Sequence, residues 1–157
     1  MNKHTDRNSI NTLFETEVVE ALTKHFASEN FEIIHEVPSM GQSVDVVLKK
    51  GRWLTFIEAK VRNWQKAIIQ CKSHEIVADF ICIAIATKNV SNKLVDFALL
   101  KGYGIIHYNY NENVCSVILK PKLNKNIWEP QRKILNDKIK IIKNNGHTTL
   151  DDIWHLR

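Results

Sequence analysis

Little in this chain could staple or span anything. Its three cysteines, Cys71, Cys82 and Cys115, are odd in number and widely spaced, which argues against a disulfide framework or a zinc ribbon and leaves them as small core residues. Long hydrophobic runs are also missing: the longest, around Val77 to Ala86, is broken by Asp79, so no membrane segment is expected. The opening stretch, MNKHTDRNSINTL, is polar and lacks the apolar core of a signal peptide, so a soluble, cytoplasmic protein without membrane partners is expected. Internal repeats and low-complexity tracts are absent too, which argues against fibrous or repetitive architectures.

What remains is ordinary globular material. The 157 residues are 44% apolar and 25% charged. They suffice for one domain, 1–157, that buries about two thirds of its unfolded surface. The net charge of +5 and pI near 9.1 favour a polyanionic partner, although charge alone does not separate nucleic-acid binders from other basic proteins.

Periodicity predicts an amphipathic helix over 12–28, capped by Asn11 or Thr12, with Ile10, Phe14, Val18, Ala21, Leu22, His25 and Phe26 on one stripe. Strands are expected over 31–37, 44–49 and 53–60, the last two joined by a tight turn at Lys50-Gly51. A helix over 63–77 capped by Asn63, a buried strand over 80–86, a helix from Ser91 to Leu100 ended by Gly102, and a strand over 104–108 follow. An edge strand over 113–119, a helix over 130–143 with Arg132, Lys133, Lys140 and Lys143 outward, and a short capped turn over 149–154 complete an α/β pattern.

Two apolar strands carry charges that need a reason. Alternation puts Leu54, Phe56, Glu58 and Lys60 on one face. A two-residue turn at Lys50-Gly51 pairs Leu48 with Trp53, Asp45 with Phe56 and Ser43 with Glu58; a four-residue loop would set Asp45 opposite Glu58. Either register keeps both carboxylates and the Lys60 ammonium on one surface, within roughly 5–8 Å. Lys60 compensates only one acid, and a divalent cation relieves the other. Hard oxygen ligands suit Mg²⁺, which lowers the pKa of its water and neutralises charge on a phosphate. The implied chemistry is metal-dependent phosphodiester hydrolysis.

Asp45, twelve intervening residues, then Glu58-Ala59-Lys60 in an apolar strand between two helices resembles the PD-(D/E)xK nuclease superfamily, with its restriction-endonuclease-like core of a central mixed β-sheet flanked by helices. The similarity covers about 11–119, with a helical extension over about 128–157, and is nearest in flavour to small resolvase-like nucleases. The resemblance implies that Asp45, Glu58 and the Ala59 backbone carbonyl hold Mg²⁺, with Mn²⁺ able to substitute, and that Lys60 serves the attacking water. It implies supporting roles for a first-helix acid, here Glu17 with Glu15 and Glu20 as alternatives, and for Gln70 on the following helix. Val44 stands where the motif's name has proline.

Blander readings accompany these. His74, three residues after Cys71, reads as a helix-surface residue, His25 as a core-edge histidine and His107 as part of a buried strand. The four tryptophans read as packing, with Trp64 the one nearest the cleft. Lys49, Lys50 and Arg52 cluster at the hairpin turn and, with Trp64 and Lys66, are candidate DNA contacts or a solvated face. The expected function is a Mg²⁺-dependent nuclease acting on DNA; the rivals are a non-catalytic nucleic-acid-binding module on the same fold and a plain interaction domain. Homodimerisation stays open.

Overall fold

The computed structural model describes residues 13–145. Six strands, β1 (Glu32–Ser39), β2 (Gln42–Lys50), β3 (Trp53–Lys60), β4 (Phe80–Ile85), β5 (Gly104–Asn109) and β6 (Val114–Leu119), form one sheet in sequential order. β3, β4 and β5 run parallel, and the remaining neighbours are antiparallel. The sheet is therefore mixed, and with helices on both faces the fold is α/β. Helices α1 (Glu15–Ala27), α2 (Trp64–Lys72), α3 (Asn92–Lys101) and α4 (Glu129–Asn145) complete the described chain. None is long and apolar enough to cross a membrane.

Strand alternation divides the core in two. On one face Leu54, Phe56, Ile81, Ile83, Ile85 and Ile105 pack against Ala67, Ile68 and Cys71 of α2, Leu94 and Ala98 of α3, and Leu135 and Ile139 of α4. On the other, Ile57, Ala59, Cys82, Ala84 and Ala86 meet Val18, Ala21, Leu22 and Phe26 of α1. The central strands show small side chains to α1 and large ones to the opposite layer, so the lone helix can lie close against the sheet.

Four expectations need correction. The β2–β3 turn is Gly51-Arg52, one residue later than expected: Lys50 pairs with Trp53 and Val46 with Ile57, with Gly51 at φ +59°. That register carries Asp45 directly opposite Glu58. α2 stops at Lys72, where the Ser73 hydroxyl donates to the Gln70 carbonyl (2.8 Å) and the chain tightens into a turn through Val77 and Ala78, both donating to the His74 carbonyl. A hydroxyl that takes the last helical carbonyls competes with continued winding. Arg132 points inward and is 7% exposed, donating to the Val77 and Arg52 carbonyls and to Asp79 Oδ2 (2.6, 2.9 and 2.7 Å). Asp79 also accepts from Leu54 N–H, so α4 is pinned to the base of the β2–β3 hairpin through one buried ion pair. Finally, alternation breaks in β1 and β2: Ile34 and Val37, like Val44 and Val47, fall in the same cluster although three apart. Glu36, at φ +50°, stands at the break and faces Asp45 across the register. The expected turn over 149–154 and the caps Asn11 and Thr12 lie outside the described residues.

Candidate active site

The site sits where β2 and β3 part. Their paired register ends at Val46–Ile57, and beyond it Asp45 replaces the ladder: its Oδ2 accepts the Ala59 N–H at 2.8 Å. Within a strand residue N–H and C=O point to the same side, so the Ala59 carbonyl is also turned toward Asp45. Glu58, on the next residue's opposite face, is fully buried against the α2 layer.

His74 holds it there. Its Nε2 lies 2.8 Å from Glu58 Oε1, both side chains are out of solvent, and the imidazole stacks edge-on against Phe56. Burial lowers the His74 pKa to about 4, against the opposing pull of the Asp45 charge. The ring is therefore neutral, and toward an ionised Glu58 carboxylate its Nε2 carries the shared proton. Glu58 Oε2 is left buried with no hydrogen-bond partner. An ionised oxygen in that state is costly unless it keeps a proton or meets a cation.

The acids respond accordingly. Burial first, then the charge of Glu58, raises Asp45 from 3.8 to about 6, although the Ala59 N–H and Lys60 pull it down. Burial raises Glu58 from 4.5 to about 7 against Asp45 and Lys60. Lys60, 6% exposed, completes the cluster and pairs with Glu15 Oε1 of α1 at 3.5 Å.

The first-helix acid that reaches the site is Glu15, the alternative, and not Glu17. Two positions along a helix turn by about 200°, so Glu17 faces away from Lys60 and is exposed. Gln70 is half-buried on α2 with its Oε1 lacking a partner, and its backbone carbonyl anchors the Ser73 turn that delivers His74. Trp64 and Lys66 open α2 four and six residues after Lys60; Trp64 is half-buried against the core and Lys66 is exposed. Lys49, Lys50 and Arg52 are not brought to the site. The turn lies five residues from Glu58 along β3, roughly 16 Å at about 3.3 Å per residue. There Lys50 Nζ covers the Phe31 ring at 4.7 Å and Arg52 the Trp53 ring at 4.3 Å.

His74 is the site residue the sequence reading missed. The signal was its place three residues beyond buried Cys71 and seven beyond buried Ala67, where the inward stripe of α2 points as the chain leaves the helix. The charge pattern also foretold nothing of Glu36.

Among the described residues no three His, Cys, Asp or Glu groups form a ready metal cage. The donor set of two carboxylates, one with an orphaned oxygen, plus a carbonyl is too sparse for zinc and fits a hard cation that keeps waters, as Mg²⁺ does.

No protein-family model matches the sequence, and no curated protein matches it. Solved structures do resemble the fold. A protein of unknown function from Silicibacter pomeroyi aligns over 88% of this chain and 98% of its own, at 15% identity and a TM-score of 0.63. A second protein of unknown function aligns over 60% and 59%, at 17% identity and a TM-score of 0.50. An fdxN element excision controlling factor protein from Anabaena variabilis covers 66% of this chain and 96% of its own, at 12% identity and a TM-score of 0.48. At these identities the likeness is one of fold.

Proposed function

We propose that this chain is a divalent-metal-dependent nuclease that hydrolyses DNA phosphodiester bonds. The observation that carries the reading is the buried Glu58 carboxyl, fixed at one oxygen by His74 and unsatisfied at the other, directly across from Asp45 and beside Lys60. A purely structural acid would have both oxygens paired or would reach solvent. Asp45 and Glu58, with the Ala59 carbonyl, would hold Mg²⁺. Bound there, the ion supplies an acidified water and charge neutralisation at the phosphate. Lys60 contributes a fixed positive charge for the attacking oxygen and the developing charge on phosphorus. Low solvent access keeps these interactions strong, because the local dielectric is low. Trp64 and Lys66, which open α2 shortly after Lys60, are the candidate contacts for a base and a backbone phosphate. Supporting evidence for DNA over other phosphodiesters is the net charge of +5 together with the sequence resemblance.

The test is cleavage of plasmid, single-stranded and branched DNA with Mg²⁺ or Mn²⁺ by wild type, Lys60→Ala and Asp45→Ala. The expected loss in either variant is about a hundredfold or more. Equal activity in all three proteins rejects the assignment, and salt-sensitive binding without cleavage would instead indicate a non-catalytic binding module.

A further inference from the structure

The helices begin in two different ways. α1 and α4 carry acids in their first turns, Glu15 and Glu17 in one and Glu129 in the other, where the positive end of the helix dipole favours them. α2 and α3 carry none, and each has a lysine there instead, Lys66 and Lys93. A cation in the first turn opposes the dipole, so both placements cost stability. Local rules are broken where function demands it. α2 follows β3 and α3 follows β4, two parallel strands, so both helices start at the end of the sheet that holds Glu58 and Lys60.

The same stretches of chain lack acids altogether. No Asp or Glu lies between Glu58 and Glu75 or between Asp79 and Asp96, which together hold the exit of β3, all of β4 and the starts of α2 and α3. The two exits are joined, since the Val61 carbonyl accepts the Ala86 N–H at 3.1 Å, and Lys88 follows two residues later. Lys66, Lys88 and Lys93 are exposed, and none enters an ion pair among the described residues. Strand order sets the charges in a row: Asp45 on β2, Lys60 on β3, Lys88 beyond β4, and Lys93 opening α3, which packs on β5. Exposed Glu112, in the turn after β5, bounds the row on the far side. We propose that this row is a track for one DNA strand, with Lys88 and Lys93 holding backbone phosphates on the side of the scissile bond away from Asp45. Lysines act there as point charges and read no sequence. β3 and β5 stand two strand spacings apart, roughly 10 Å. With one phosphate per about 3.4 Å of axis on each strand, the contacts fall about three nucleotides from the bond that is cut. The position of that bond rests on the nuclease reading, whereas the phosphate contacts do not.

Binding and cleavage are read separately. Short duplexes of unrelated sequence are titrated over a range of salt with EDTA, in an Asp45→Asn background. Adding Lys88→Ala with Lys93→Ala should lower the slope of log affinity against log salt by about 2, alike for every sequence. Lys120→Ala with Lys125→Ala removes the same charge at the opposite end of the sheet, beyond β6 and ahead of β4, and should leave the slope unchanged. All four lysines are exposed, and circular dichroism checks that each variant is folded. On end-labelled duplexes with Mg²⁺, protein with Asp45 intact should cut slowly within about three nucleotides of one strand end, and the Lys88/Lys93 variant should lose that end effect. An unchanged slope in the Lys88/Lys93 variant, or an equal fall in the Lys120/Lys125 control, overturns the track and leaves the nuclease reading standing wherever DNA is cut. Uniform cutting up to every end overturns the three-nucleotide placement. A fall in slope confined to Lys88 and Lys93 in a protein that never cleaves upholds the phosphate contacts and rejects the nuclease reading. Wild-type protein that binds no DNA overturns both.

Discussion

His74 Nε2 stands 2.8 Å from Glu58 Oε1, and neither side chain reaches solvent. The imidazole is thus a neutral donor that fixes one carboxyl oxygen and leaves the other to the site. His74→Phe should destabilise the fold by about 2–3 kcal/mol, since it removes the donor from the buried Glu58 Oε1. His74→Gln, which keeps a donor, should cost less. Chemical denaturation at pH 7 compares the two, and equal losses would mean that packing alone matters at this position.

Asp45 and Glu58 also set a pH dependence of stability. Their folded pKa values, about 6 and 7, exceed the ordinary 3.8 and 4.5. Between those limits the folded state binds more protons than the unfolded one, so the pair's contribution falls as pH rises from about 4 to 7 and stays lost above. Asp45→Asn with Glu58→Gln keeps the acceptors for Ala59 and His74 and removes the charge. Without metal, this variant should exceed wild type by about 1–3 kcal/mol at pH 8 and by little at pH 4, a range discounted for the partial exposure of Asp45. Urea titrations at the two pH values decide it.

Divalent metal should reverse that penalty. At pH 8 the acids are ionised and repel, whereas at pH 5.5 protons compete for the same oxygens. Mn²⁺ at about a hundred times its dissociation constant adds about 2.7 kcal/mol of stability. The melting temperature should therefore rise clearly with Mn²⁺ at pH 8, barely at pH 5.5, and not at all in Asp45→Asn. A shift of similar size in that variant would place the ion elsewhere.

Arg132 offers a control remote from the chemistry. Arg132→Met removes the partner of buried Asp79 and three hydrogen bonds from α4, one to the hairpin turn at Arg52 and two to Val77 and Asp79 ahead of β4. The expected cost is about 3–5 kcal/mol. Asp79→Asn in the same chain should recover part of it, which a double-mutant cycle measures.

The strands and helices were legible because their apolar positions keep period. Leu54, Phe56 and Glu58 announced one face of β3, and Val18, Ala21, Leu22 and Phe26 one face of α1. The Asp45, Glu58 and Lys60 cluster was legible for the same reason, since parity survives a mistake in register. Local chemistry was harder to read. The turn slipped by one residue because Gly51 serves either a Lys50-Gly51 or a Gly51-Arg52 turn. Arg132 looked like solvent-facing charge because its partners are three groups far away in sequence. Glu17 fell inside the apolar arc and Glu15 at its border, and only the crossing of α1 over the end of β3 chose Glu15.

That crossing has one more effect. Glu15 is the first residue of α1, and Phe14 before it offers no capping side chain. The Lys60 ammonium is therefore engaged by a half-exposed carboxylate standing on the least anchored turn of the helix. If the site takes a phosphate, as proposed, this half-exposed carboxylate is the group that a phosphate oxygen would replace at the Lys60 ammonium.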